Sequence, residues 1–121
     1  MLKTIEIINT DKIQINIKVN DTMMLFTIPS NEGEWDNIAS LTCYYSSNVL
    51  NITDLYVKHE YRNQLYGSKL LEQAILVAKE RKYESIILDD CSDRFKLPHN
   101  IYIKFGFTYI DNNFPEMIYI L

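Results

Sequence analysis

Ile52-Thr53-Asp54-Leu55-Tyr56-Val57-Lys58-His59-Glu60-Tyr61-Arg62-Asn63-Gln64-Leu65-Tyr66-Gly67-Ser68-Lys69-Leu70-Leu71 changes character midway. It reads as a strand that feeds a short polar loop, and the loop opens a helix. A helix start leaves its first backbone N–H groups without intrahelical partners, at the positive end of the helix dipole. Such a start is ready to take an anion, phosphate above all. Lys58, Arg62 and Lys69 add positive charge nearby. On local features alone, an ordinary strand–loop–helix joint with solvated charges explains the stretch equally well.

On the C-terminal side, Leu70, Leu71, Ala74, Ile75 and Ala78 recur at helical spacing, with Lys69, Glu72, Gln73, Lys79 and Glu80 mostly opposite. This predicts an amphipathic helix from Tyr66 to Lys82. Ser85 to Leu88 suits a short buried strand. Together with Leu50 to Val57, these segments make a β-α-β unit, hence a parallel strand pair with a right-handed crossover. Pro98 to Phe105 reads as a short helix, with Pro98 in its first turn and Gly106 just past its end. Phe107 to Ile110 and Met117 to Leu121 are the last strands.

On the N-terminal side, Ile13, Ile15, Ile17 and Val19 alternate with Gln14, Asn16 and Lys18, the period of a half-buried strand. Thr4 to Ile8, Thr22 to Ile28 and Ile38 to Tyr45 are further strands, and Pro29 to Asp36 is a polar loop. Asn9-Thr10-Asp11, Asn20-Asp21 and Ser46-Ser47-Asn48 supply turns. The class is α/β (α+β): a mixed, mostly antiparallel sheet with a central β-α-β unit and two helices, in a single domain over residues 1–121.

Composition narrows the function. Twelve basic against sixteen acidic residues give a net charge of −4, which argues against a nucleic-acid partner. No apolar run approaches membrane-spanning length, and the N-terminus suits neither a signal peptide nor an anchor. Cys43 and Cys91 lie far apart and form no CxxC pattern. They read as free thiols in a reducing, cytoplasmic compartment, with no disulfide framework or zinc site. His59 and His99 have no metal-ligand spacing, so no metal is expected.

Two motifs, in order around the β-α-β unit, resemble the GCN5-related N-acetyltransferase (GNAT) superfamily. The family pattern is a strand ending in Leu-x-Val, a tyrosine-arginine pair, then Arg/Gln-x-x-Gly-x-Gly/Ala and an amphipathic helix. This chain has Leu55-Tyr56-Val57, Tyr61-Arg62 and Arg62-Asn63-Gln64-Leu65-Tyr66-Gly67. Family members often carry a helix ending in Leu-Tyr-Glu-Lys-Leu-Gly-Phe. Here Ile101-Tyr102-Ile103-Lys104-Phe105-Gly106-Phe107 stands in that place. The resemblance covers about residues 50 to 110. The helices that often follow the first family strand are not evident.

The resemblance implies acetyl-CoA as cosubstrate. The backbone of Leu55 and Val57 would pair with its pantetheine arm. Arg62 and the amides of Gln64, Leu65, Tyr66, Gly67 and Ser68 would hold the pyrophosphate. Tyr102 would protonate the departing thiolate, a task for a phenol within hydrogen-bond reach of sulfur; otherwise it packs beside Phe105 and Phe107. Asp54 is the first choice of base, acting through water, and Asn51, Asp89 and Asp90 also lie near the acceptor side. A nucleophilic Cys91 would want His99 beside it, but the family transfers directly. Tyr44, Tyr45 and Tyr56 suit an acceptor pocket or strand packing equally. One position departs from the pattern: Leu65 replaces the first loop glycine. A leucine fits there with a helical backbone and a side chain turned to the core.

The leading reading is therefore an N-acetyltransferase acting on a primary amine of a small molecule or peptide. The alternative, favoured by Leu65, is a catalytically weak module of the same fold that binds acyl-CoA or a protein partner. The last strand, Met117 to Leu121, is expected at an edge, where it would add to the sheet of a second copy in a homodimer.

Overall fold

The alternation read in the first half of the chain is built as a five-stranded antiparallel meander. In the computed structural model its strands are β1 (Lys3–Thr10), β2 (Ile13–Val19), β3 (Met23–Ser30), β4 (Gly33–Ser46) and β5 (Val49–Val57). The structure describes residues 2–10, 13–30, 33–89, 100–111 and 113–121, without the side chains of 10 and 33–36. Asn20 closes the β2–β3 turn by accepting from the N–H groups of Thr22 and Met23 at 2.9 and 2.8 Å. The polar loop expected over 29–36 is instead a hairpin, since β3 runs through Ser30 and Ser30 pairs with Gly33.

Cross-strand partners share one face of a sheet, and the core follows from that rule. Ile17 opposes Phe26, Phe26 opposes Leu41, and Leu41 opposes Leu55. The first three are buried, and Leu55 packs against them. Over this ladder lies α1 (Tyr66–Glu80), which buries Leu70, Leu71, Ala74, Ile75, Val77 and Ala78. Burial of Leu70 and Leu71 contributes roughly 2 kcal/mol each. The helix stops two residues before the expected Lys82, because Lys82 turns left-handed (φ 62°). The N–H of Tyr83 then reaches back to the carbonyl of Ala78 at 3.0 Å.

After α1 the chain enters β6 (Ser85–Asp89), which pairs parallel to β5, as the β-α-β pattern requires. The short α2 (Ile101–Phe105) follows, then β7 (Thr108–Tyr109) and β8 (Glu116–Ile120). The sheet order is β1-β2-β3-β4-β5-β6-β8-β7. This corrects the expectation for the last strand. β8 lies between β6 and β7 rather than at an edge, so it does not offer a whole edge to a second copy. The edges are β1 and the two-residue β7.

Cys43 is buried in the core and donates to the carbonyl of Met24 at 3.5 Å. Burial pushes its thiol up to about 12, against a smaller lowering by Arg81, so it is held as an inert neutral thiol. Cys91, Asp90, Pro98 and His99 lie outside the described residues. Among the described residues, no helix is long and apolar enough to cross a membrane.

Gly106 ends α2 in the left-handed region, at φ 105°. The N–H groups of Gly106 and Phe107 return to the carbonyls of Ile103 and Tyr102 at 3.1 and 3.0 Å, a Schellman closure. A Cβ built at Gly106 would meet the Tyr119 ring at 3.3 Å. Gly106→Ala is expected to lower unfolding free energy by roughly 1–2 kcal/mol, from the left-handed penalty and the crowded ring. Urea denaturation checks this, and an unchanged midpoint contradicts it.

Candidate functional site

The site begins where two strands part. β5 and β6 pair through Val49↔Ser85, Leu50↔Ile86, Asn51↔Ile87 and Ile52↔Leu88, and no further. At that point β5 carries a bulge. Thr42 opposes Asp54 and Cys43 opposes Ile52, so Thr53 is the extra residue. A bulge bends and twists its strand, and bulges often sit beside active sites. Beyond it, among the described residues, β5 pairs only with β4. The Lys58 N–H bonds to the Ile38 carbonyl on the β4 side at 2.9 Å. By strand alternation, the backbone groups of Leu55 and Val57 face the open side.

The parting strands enclose a cleft of about 490 Å³. Asn51, Ile52, Thr53, Asp54 and Leu55 line it from β5, and Ile87, Leu88 and Asp89 from β6. Tyr102 enters from α2 and Glu116 from β8. Asp54 and Tyr102, the candidate base and acid, thus share one cleft. Asn51 and Asp89, read from sequence as near the acceptor, share it too. Glu116 was not foreseen. It sits directly across from Asp89 in the β6–β8 register, and no local pattern in a sequence reveals a pairing between strands so far apart in the chain. Like charges directly opposite are unfavourable, so this end of the cleft favours a cation between or beside them.

The other end of the open β5 edge has the opposite sign. After Val57 the chain makes a single 3₁₀ turn, His59–Tyr61, and reaches the loop that starts α1. Arg62 folds back, and its Nε–H donates to the Val57 carbonyl at 3.0 Å. Gln64 Nε2 donates to the Glu60 carbonyl at 3.3 Å. Asn63 and Leu65 are both left-handed, at φ 64° and φ 70°. Asparagine tolerates that region; leucine rarely adopts it. The first backbone bond of the helix runs from the Lys69 N–H to the Leu65 carbonyl, at 3.0 Å. The amides of Tyr66, Gly67 and Ser68 therefore have no intrahelical acceptor. No side chain caps them, since Leu65 holds the N-cap position. These residues do not line the cleft; β5 connects them to it.

Leu65 corrects the sequence reading. Its backbone is left-handed rather than helical, and its side chain is 68% exposed rather than turned to the core. The loop needs a left-handed residue there, and leucine supplies it without a packing reward. Gly67 is packed between elements. An added Cβ would meet Ile101 Cδ1 and Val57 Cγ2 at 3.6 Å, ordinary contact distances. The position therefore ties the helix start to both β5 and α2.

Asn100 was also not foreseen as a site element. It caps α2, its Oδ1 accepting from the Tyr102 and Ile103 N–H groups at 2.8 and 3.4 Å. The signal was available, since an asparagine directly before an apolar run is a helix-start mark. Pro98 drew the expected start three residues ahead of Ile101, where α2 begins. Among the described residues, no group of three His, Cys, Asp or Glu is placed to hold a metal ion.

Comparison with known proteins follows this geometry. A family model described as an acetyltransferase (GNAT) domain matches residues 30–109. No protein of curated function matches the sequence. Among solved structures, the PaiA N-acetyltransferase from Thermoplasma acidophilum, in complex with coenzyme A, is similar at 19% identity and a TM-score of 0.68. That match covers 83% of this chain and 62% of the other. An acetyltransferase from Bacillus cereus is similar at 25% identity and TM-score 0.68, over 82% of this chain and 73% of the other. An acetyltransferase of the GNAT family from Staphylococcus aureus follows at 20% and 0.67, over 82% and 68%. This chain thus spans less than two-thirds of the length of the Thermoplasma protein. The family match covers more than half of this chain and includes the strand, the loop and the helix start, and the chain belongs to the GNAT acetyltransferase family.

Proposed function

We propose that this protein is an N-acetyltransferase that moves an acetyl group from acetyl-CoA to the primary amine of a small molecule or peptide. The observation that carries the reading is the polarity of the open β5 edge. At one end stand helix-start amides without an intrahelical acceptor, with Lys58, Arg62 and Lys69 nearby in the chain. At the other is a cleft with Tyr102 and the carboxylates of Asp54, Asp89 and Glu116. Acetyl-CoA is an anion at its diphosphate end, and an amine acceptor arrives as a cation.

The residues present fit the cosubstrate. The amides of Gln64 to Ser68, with Arg62, would hold the pyrophosphate, and the backbone of Leu55 and Val57 would pair with the amide-bearing arm, Arg62 Nε releasing the Val57 carbonyl it holds in the free protein. When bound, acetyl-CoA supplies an activated acetyl thioester. The acidic cleft draws the ammonium in and orients it. Asp54 takes a proton from the amine, through water, because only the neutral amine has a lone pair to attack. The Tyr102 hydroxyl gives a proton to the leaving sulfur. No metal is called for in this scheme. A cytoplasmic location fits a protein that draws on acetyl-CoA.

The weaker reading, a module that binds acyl-CoA or a protein partner without turnover, rests on Leu65. Its geometry counts against that reading, because Leu65 already adopts the left-handed turn a glycine would take. Calorimetry with acetyl-CoA, CoA and ATP, followed by thiol-release assays with 1,4-diaminobutane and an unblocked peptide, separates the two. Binding of acetyl-CoA and CoA in preference to ATP, with thiol release dependent on amine, supports the enzyme. Binding without thiol release supports the module, and no binding at millimolar ligand overturns both.

Leu65→Gly is expected to raise unfolding free energy by up to about 1 kcal/mol, as the left-handed strain exceeds the cost of glycine's freedom. CoA affinity should be at least as tight as in the parent. Weaker binding by a folded variant would show that the exposed leucine itself contacts the ligand.

Tyr102→Phe removes one oxygen and keeps the ring. Its edge-to-face packing on Phe107, with centroids 6.0 Å apart, should survive. Turnover is expected to fall roughly 10- to 1,000-fold, within or just below the range of general acids. The KM for acetyl-CoA should change little, because the proton is given mainly in the transition state. Steady-state kinetics on a free amine that the parent acetylates decides; an unchanged kcat would return Tyr102 to packing.

A further inference from the structure

The helix that carries Tyr102 is five residues long, too short to hold its shape unaided, since isolated helices below about 12 residues are marginal in water. What fixes Tyr102 must therefore come from outside the helix ladder. Contacts at both ends of the helix contribute. Its N–H donates to Asn100 Oδ1 at 2.8 Å. Its carbonyl accepts from the Phe107 N–H at 3.0 Å. Its ring meets the Phe107 ring edge-to-face, with an interplanar angle of 69°. The Phe107 contacts act at the far end of α2, and Asn100 acts at the near end. The Asn100 side chain is 1% exposed. It also accepts from the Ile103 N–H, and its own carbonyl takes the first backbone bond of the helix, from Lys104 at 3.2 Å. A buried amide with this set of acceptor contacts is a costly choice unless its contacts are needed.

We infer that Asn100 is a positioning residue for the reaction, and that its Oδ1 aims the Tyr102 hydroxyl into the cleft. The inference rests on the acid role proposed for Tyr102. Without the cap, α2 can unwind from its first turn, and Tyr102 loses its place in the cleft that Asp54 and Glu116 also line. The cosubstrate loop at the start of α1 touches α2 through Ile101 but is also held on β5, by Val57 beside Gly67 and by the Arg62 bond to the Val57 carbonyl, so it should respond less than Tyr102.

The test compares Asn100→Ala and Asn100→Asp, each with and without Tyr102→Phe, using acetyl-CoA and 1,4-diaminobutane. Asn100→Ala is expected to lower kcat roughly 10- to 100-fold, the scale of a catalytic group displaced by about an ångström. The KM for acetyl-CoA should stay near that of the parent. Asn100→Asp keeps the acceptor and should restore most of the turnover. In the Tyr102→Phe background, Asn100→Ala should add no further loss, because there is no phenol left to misplace. Nuclear Overhauser contacts between the Tyr102 and Phe107 rings should weaken in Asn100→Ala and persist in Asn100→Asp. This arm needs no turnover and decides the matter if the diamine is a poor acceptor. Intact ring contacts with full kcat in Asn100→Ala overturn the inference, as does an equal loss of kcat in both backgrounds. Failure of Asn100→Asp to restore turnover overturns the capping account. If Tyr102→Phe leaves kcat unchanged, the acid role and this inference fall together; if it lowers kcat while Asn100→Ala does not, only this inference falls.

Discussion

Among the described residues the parallel pairing of β5 with β6 lasts four residues, and the rest of the site depends on its stopping there. A parallel pair buried on both faces would normally run its full length, because an unpaired backbone group away from water costs free energy. The extra residue at Thr53 bends β5 away. That leaves a strand edge whose backbone groups face a cleft instead of a neighbour. The same parting brings side chains from β5, β6, α2 and β8 around one space. The fold thus exposes an edge in its interior, where a ligand can complete the sheet, while the outermost positions go to β1 and the two-residue β7.

The two helix starts at either end of the open β5 edge are built differently. The start of α1 lacks a side-chain cap and leaves its amides open, which is unfavourable for a helix and favourable for an anion. The start of α2 is capped by a buried asparagine and its end by a Schellman turn. One terminus is left to bind and the other is closed to hold. Leu65 sits at the first of these and accepts a strained backbone with an exposed side chain. Strained residues of this kind tend to cluster at functional sites. The β-branched and apolar ladder under α1 supplies the stability against which such local costs are set.

Much of this was legible in the sequence because it depends on local periodicity. The alternation from Ile13 to Val19 and the helical spacing from Leu70 to Ala78 reported their elements and their buried faces directly. The β-α-β unit followed from element order, and the two motifs marked the loop proposed to hold the cosubstrate. What was not legible depends on pairing or on backbone state. The bulge at Thr53 and the opposition of Asp89 and Glu116 are properties of register, which no single strand encodes. The place of β8 inside the sheet was missed for the same reason, because an exposed-looking end strand gives no sign that β7 will cover it. The left-handed turn at Leu65 was misread since leucine rarely adopts it. Asn100 had a local signal, and Pro98 outweighed it.

Hydrogen exchange, followed by mass spectrometry with and without saturating CoA, tests the central claim most directly, because the claim concerns backbone N–H groups. The open edge of β5 and the start of α1 should respond together. Amides in 53–58 and 64–69 should slow markedly with CoA, and those of β1 and β2 should not change. Unchanged exchange in 64–69 under saturating CoA, or protection confined to other strands, would contradict the account of a cosubstrate held on the edge that β6 leaves open.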